Sequence, residues 1–226
     1  MMFMIKKVFL TLALLVLGFT QANAENVSYN VFLIPPTTAT TTVKNISQQL
    51  KAERLNSLYS QHYLPHITLY LTEYPQKSLA LIESKVKQLA TQFRPFTITL
   101  DKIERTKGDW LMLNVEDNRE LQHLADSITV TLEPLRASNP SLPNWVSKYP
   151  EKLTSFKRYG SPNVFTQFQP HFTLLPKSDG EKLDTFMQKY GQSFKPTTTQ
   201  VSGIGIAQPD SNGQAKKVLA TYFFNK

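Results

Sequence analysis

Apolar and polar residues change period several times along the 226-residue chain, and each change marks an element. "VSYNVFLIPP" (27–36) alternates and then runs apolar into two prolines, which predicts a strand that stops there. From Thr42 onward Val43, Ile46, Leu50, Leu55 and Leu58 recur near helical spacing and predict a helix to about Tyr59. "LPHITLYLTE" (64–73) sets Ile67, Leu69 and Leu71 against His66, Thr68 and Tyr70, the period of a half-buried strand. Leu79, Ile82, Val86, Leu89 and Phe93 then step by three and four, so a helix with one apolar stripe is expected to end before Pro95.

Beyond it "PFTITLDKIE" and "DWLMLNVE" read as a hairpin turning through "RTKG", with Gly108 in the turn. Asp117 and Glu120 resemble a capping box for a helix carrying Leu121, Leu124, Ile128, Leu132 and Leu135. Residues 138–168 hold four prolines and no sustained period, which predicts a long surface excursion with room for a short helix. "QPHFTLLP" is again a strand, Ser178 with Glu181 reads as the cap of another helix, and the chain closes as two strands around "DSNG".

Strand, helix, strand, helix, strand thus occurs twice, and neither copy can bury its sheet alone. The expected fold is α+β: a bilobed, duplicated unit of pseudo-twofold symmetry, its two mainly antiparallel sheets facing a central cleft with helices outside. Composition leaves this open, with 41% hydrophobic residues, and narrows the chemistry, because without cysteine there are no disulfides, thiol nucleophiles or thiolate metal sites. Lys6 and Lys7, the apolar run Val8–Phe19 and the small residues Ala22-Asn23-Ala24 have the layout of a cleaved signal peptide over residues 1–24, leaving a single domain over 25–226. An exported protein, periplasmic or secreted, with no stable membrane span is expected. The net charge of +8 suits phosphates, nucleic acid or membrane headgroups without choosing among them.

The chemistry lies in a repeat. "PHITLY" (65–70) returns as "PHFTLL" (170–175), so two of only four histidines stand at matching offsets in matching strands. Residues two apart in a strand share a face, so His66 projects with Thr68 and His171 with Thr173. Two imidazoles on facing strands suit a reaction that takes a proton from one oxygen and gives one to another, as opening a phosphodiester does. Threonine hydroxyls can hold the nonbridging oxygens as charge develops.

These paired His-x-Thr strands resemble the 2H phosphoesterases, whose bacterial members include the 2'-5' RNA ligase-like cyclic phosphodiesterases, and the likeness runs from about Tyr29 to the end. It implies hydrolysis of a cyclic phosphodiester such as a 2',3'-cyclic nucleotide or RNA end, without metal or other cofactor. By position, His66 and His171 would be the acid-base pair, and Thr68 and Thr173 the phosphate ligands. An arginine often follows each motif in the RNA ligase-like branch; here Tyr70, Pro176 and Lys177 stand in that neighbourhood.

Other signals are weaker. His62 and His66 are four apart, but Pro65 interrupts any helix that could make them a metal clamp. His123 falls off its helix's apolar stripe and reads as a surface residue. "SGIGIA" lacks the third glycine and the helix of a dinucleotide loop. In the excursion Trp145, Tyr149, Phe156 and Tyr159 interleave with Lys148, Lys152, Lys157 and Arg158, a pattern that fits either a packed loop or a nucleic-acid surface. A monomer acting on a nucleotide or RNA phosphodiester is expected; the alternatives are a noncatalytic binder of a phosphorylated ligand or RNA, and an esterase for a non-nucleotide phosphodiester.

Overall fold

Pro36 stands with extended backbone at the start of the first helix and leads directly into it, because a proline φ is compatible with the turn that follows. In the computed structural model, which describes residues 25–226, β1 (Asn26–Leu33) therefore runs into α1 (Thr37–Ala52) five residues earlier than the apolar period suggests. Ala39, Val43, Ile46 and Leu50 form its buried stripe. Arg54 takes a positive φ just past the helix end, so Leu55 and Leu58 reach the core from a loop. The leader expected over residues 1–24 lies outside the described residues.

The remaining elements are β2 (Ile67–Pro75), α2 (Leu79–Ala90), β3 (Phe96–Arg105), β4 (Leu111–Val115), α3 (Arg119–Leu132), α4 (Pro150–Tyr159), β5 (His171–Leu175), α5 (Gly180–Tyr190), β6 (Thr197–Val201), β7 (Gly203–Pro209) and β8 (Ala215–Phe223). All eight strands pair antiparallel in the order β6-β3-β4-β5-β2-β1-β7-β8, and the sheet is curled. It divides into two four-stranded halves that meet through one residue pair, Ile67 with Phe172. The strand closing each repeat crosses over: β3 pairs with β4 of the second half, and β7 with β1 of the first. Each half therefore completes the other's sheet. The α+β duplication read from the sequence is the architecture found, with α1, α2, α3 and α5 covering the face where Leu33, Leu69, Ile82, Leu113, Leu124, Ile128, Phe172 and Phe186 form the core.

Two local expectations change. The caps of α3 and α5 are Asn118, whose Oδ1 accepts from Leu121 N, and Asp179, which accepts from Glu181 N and Lys182 N, each one residue beyond the position expected. Gly108 lies in the β3–β4 turn as expected, and Asp109 beside it takes the left-handed conformation; Arg105 holds its carboxylate with Nε at 2.9 Å and Nη2 at 2.7 Å. The register of β1 against β2 shifts between Phe32–Thr68 and Val31–Tyr70, leaving Leu69 as an extra residue. A bulge reverses the alternation, so Tyr70 is fully buried while Leu71 is only half-buried.

The excursion is docked, not loose. Val146, Phe156, Val164 and Phe168 are buried beneath it. Tyr70 donates its hydroxyl to Tyr159 O at 2.6 Å and Thr72 to Gly160 O at 2.8 Å, while Ala137 N bonds Glu73 O on the same strand. Gly160 ends α4 at φ 68°, and a Cβ there would lie 2.7 Å from Thr72 Oγ1, so only glycine closes this helix onto β2.

Candidate active site

Pro-His is repeated because it solves the same local problem twice. Each proline sits where a strand begins and an N–H is dispensable, and the chain bends so that the next imidazole folds back on the carbonyl two residues earlier. His66 Nδ1–H donates to Leu64 O at 2.9 Å, and His171 Nδ1–H to Gln169 O at 2.7 Å. A carbonyl can only accept, so each neutral ring carries its proton on Nδ1 and leaves the lone pair on Nε2.

The pair Ile67–Phe172 fixes how the two motifs meet. Continuing that antiparallel pair by one residue each way would bring His66 toward Thr173 and Thr68 toward His171, and His171 is near enough to His66 to lower its proton affinity. Residues opposite one another have Cβ atoms about 4.5–5.5 Å apart. Ile67 and Phe172 point into the core, and the four motif residues share the other face. The structure thus brings together all four residues singled out in the sequence. His66 is 7% exposed, while Thr68, His171 and Thr173 are half-buried. Two hollows elsewhere in the surface, of about 270 and 640 Å³, include none of the four.

Burial dominates the electrostatics. It pushes His66 down to about 4 against the opposing pull of the Leu64 carbonyl, and the nearby His171 lowers it further while Asp210 raises it. Phe32 contributes to that apolar wall, its ring meeting the imidazole edge-on at 5.9 Å between centroids. Gly205 makes room for Phe32, since a Cβ there would come within 2.4 Å of the ring. "SGIGIA" is accordingly part of a strand, with glycine where an aromatic ring lies on the backbone. His171 is lowered by burial and by Lys152, against the Gln169 carbonyl and Glu104.

The neighbours of these rings were missed in the sequence. Asn30 is fully buried in β1 and sends Nδ2 to Thr68 Oγ1 at 2.9 Å, with His66 Nε2 at 3.3 Å. An asparagine inside an apolar strand was the available signal. Asp210, in the β7–β8 turn, takes the Tyr63 hydroxyl at 3.0 Å. Asn114 pairs with His171 across β4–β5 and donates to Glu104 Oε2 at 2.7 Å.

Lys152 brings the excursion close enough to His171 for its charge to be felt there. Its Nζ reaches Asn163 Oδ1 at 2.8 Å, Gln169 Oε1 at 3.3 Å and Gln167 O at 3.4 Å, all neutral oxygens, and it is half-buried. Phe156 and Tyr159 pack inward, whereas Trp145 and Tyr149 stay exposed against each other with ring centroids 6.2 Å apart. His62 and His123 take no part in these contacts: His62 is an exposed left-handed residue, and His123 lies exposed against Phe93. Among the described residues no group of three His, Asp or Glu side chains is placed to hold a metal ion, and no helix is long and apolar enough to cross a membrane.

Comparison with solved structures finds the same fold. TT0787 of Thermus thermophilus is 15% identical with a TM-score of 0.57, covering 87% of this chain and 97% of its own. The structure of E. coli LigT complexed with 3'-AMP is 15% identical with a TM-score of 0.52, covering 89% and 100%. No curated protein matches the sequence significantly. The model of the 2'-5' RNA ligase superfamily matches residues 35–213, a span that takes in both His-x-Thr strands, the helices that back them and Asn30's partner turn up to Gly213. With the duplicated fold and the shared face of its two motifs, the chain belongs to the 2'-5' RNA ligase superfamily of 2H phosphoesterases.

Proposed function

We propose that this protein is a metal-independent phosphoesterase that hydrolyses a cyclic phosphodiester, a 2',3'-cyclic nucleotide or RNA end, with His66 and His171 as the acid-base pair and Thr68 and Thr173 as phosphate ligands. One observation carries the reading: the Ile67–Phe172 pair brings each histidine toward the other motif's threonine on one half-buried face. A phosphate lying over that pair has an imidazole on either side and a hydroxyl beside each.

His66 is the base. Its Nε2 is an acceptor, and its low proton affinity keeps it neutral in mild acid. It takes a proton from water as the oxygen attacks phosphorus; His171, protonated on Nε2, gives its proton to the departing ribose oxygen. The product is a phosphate monoester. Thr68 and Thr173 donate to the nonbridging oxygens, where charge grows in the transition state. LigT binds 3'-AMP in its crystal structure, and a nucleotide substrate here fits that precedent and the basic charge. The half-buried Lys152 beside Gln169 adds positive potential on the His171 side.

Screening the purified protein against a phosphodiester panel in EDTA, with products read by ³¹P NMR, tests this. Conversion of 2',3'-cyclic nucleotides to a single monoester is expected. The pH profile should be a bell with its maximum below pH 6.5, because catalysis needs one ring neutral and one charged and both proton affinities are lowered. Loss of activity in chelator, or turnover confined to lipid-type diesters, would defeat the reading; tight binding without turnover would make the protein a binder. The enzyme acts as an exported monomer. The Lys6-Lys7, apolar and Ala22-Asn23-Ala24 pattern supports export, and a mature N-terminus at Glu25, rather than Met1, is the result expected from N-terminal sequencing.

A further inference from the structure

Asn30 has more acceptors than it can serve on one end of its carboxamide and nothing on the other. Nδ2 lies 2.9 Å from Thr68 Oγ1, 3.3 Å from His66 Nε2 and 3.3 Å from Gly213 O, while Oδ1 is buried without a hydrogen-bond partner. A buried acceptor left idle is costly and rare, so it calls for a reason. The amide is oriented by its surroundings: Gly213 O can only accept, and His66, its Nδ1–H committed to Leu64 O, offers only a lone pair at Nε2. This arrangement suits neutral His66 alone. Once Nε2 takes a proton, two N–H groups face each other.

We propose that the Asn30 carboxamide is a two-position device that reverses with the protonation of His66. A half-turn about the Cβ–Cγ bond exchanges the two ends, so that Oδ1 accepts from Nε2–H. The oxygen idle in the resting state becomes the acceptor of the charged one. No covalent bond changes beyond the proton that His66 takes from the attacking water and later yields to solvent. Thr68 turns with it: its oxygen accepts from Asn30 in the resting state, leaving its own hydrogen free for phosphate, and it donates to Oδ1 after the reversal. Proton uptake by His66 thereby loosens the grip on the cleaved phosphate. Gly213 O supplies the restoring force, since it opposes an oxygen in the reversed position and favours Nδ2 once the ring is neutral again.

The titratable or charged groups facing His66 are His171 of β5 and Asp210 of the β7–β8 turn, the latter held by Tyr63. Both stay in place in either amide position. Only the catalytic meaning of the device rests on the phosphoesterase reading; its existence does not.

The test is a pH titration of ¹⁵N-labelled wild-type protein from pH 7 to 3, following the ring nitrogens of His66 and the side-chain NH₂ of Asn30, assigned by its loss in Asn30→Leu. The Asn30 signals are expected to move with the same midpoint as His66 Nε2, near pH 4, while Nδ1 stays protonated throughout. In Asn30→Leu the His66 midpoint should fall, because the imidazolium is deprived of a charge-assisted acceptor, which outweighs the neutral ring's forfeit of one long hydrogen bond. A fixed donor would give the opposite sign. Asn30 signals that stay still while His66 titrates, or a midpoint that rises on substitution, would overturn the proposal. Asn30→Ala supplies the same sign if the leucine variant does not fold. None of these readouts requires turnover, so an inactive protein would refute the enzymatic reading and still decide this one.

Discussion

His66→Ala and His171→Ala are each expected to lower turnover of a 2',3'-cyclic phosphodiester by about 10²–10⁴-fold, or about 3–5 kcal/mol of transition-state stabilisation. In the proposed reaction the two rings would meet the substrate from opposite sides of the Ile67–Phe172 pair. Removing either leaves one proton transfer without a partner, and neither neighbouring threonine can replace it. Binding should weaken far less than turnover, because the hydroxyls and the charge of Lys152 remain. The double variant should be less impaired than the product of the single effects, since the rings act on one concerted displacement. Steady-state kinetics with a folded-state control by circular dichroism would check this. Equal losses in affinity and turnover would mean that the histidines only bind.

Phe172→Ala is expected to cost about 3–5 kcal/mol of folding stability, read from the midpoint and slope of urea unfolding. The ring is 1% exposed, and its strand position pairs with Ile67 on one side and Leu113 on the other. It is the point through which the two halves of the sheet are joined. With a total stability of about 5–15 kcal/mol for a protein of this kind, such a loss is a large fraction of the whole. The cavity would also sit beneath His171 and relax the register that holds the motifs together, so catalytic efficiency should fall in the variant that remains folded. A loss below about 1 kcal/mol would show that the seam is held elsewhere.

Periodicity made the elements legible, and repetition singled out the candidate site. Val86 and Leu89, or Leu121, Leu124 and Ile128, announce their helices because each buries one stripe against one sheet. The repeated Pro-His-x-Thr was visible because both copies meet the same local demand: an i−2 carbonyl for Nδ1 and a threonine two residues on. What stayed hidden depends on pairing between distant strands. The bulge at Leu69 exchanges the faces of Tyr70 and Leu71, and nothing within "HITLYL" records it; only the register against β1 does. Asn30 lies 36 residues from His66, and its role exists only once β1 and β2 are side by side. How the excursion packs was not legible because its anchors, Tyr159 O and Gly160 O, are backbone atoms taken up by side chains of β2. Lys152 stood among the cations of that segment with nothing to set it apart from Lys148, Lys157 and Arg158.

The neighbourhood of Tyr70 shows how such a site is rebuilt within a family. Where an arginine often follows the first motif in RNA ligase-like relatives, this chain turns Tyr70 into the core and uses it to anchor the segment that carries Lys152. Lys152 thus brings positive charge near His171 from the excursion. Trp145 and Tyr149 stay exposed on the same segment, against each other.

The most direct test of convergence uses the four histidines as their own controls. With ring-¹⁵N-labelled protein titrated with inorganic phosphate, the Nε2 signals of His66 and His171 should shift together along a single binding isotherm, while those of His62 and His123 stay in place. Movement of only one of the first pair, or two isotherms with separate midpoints, would contradict a shared phosphate site.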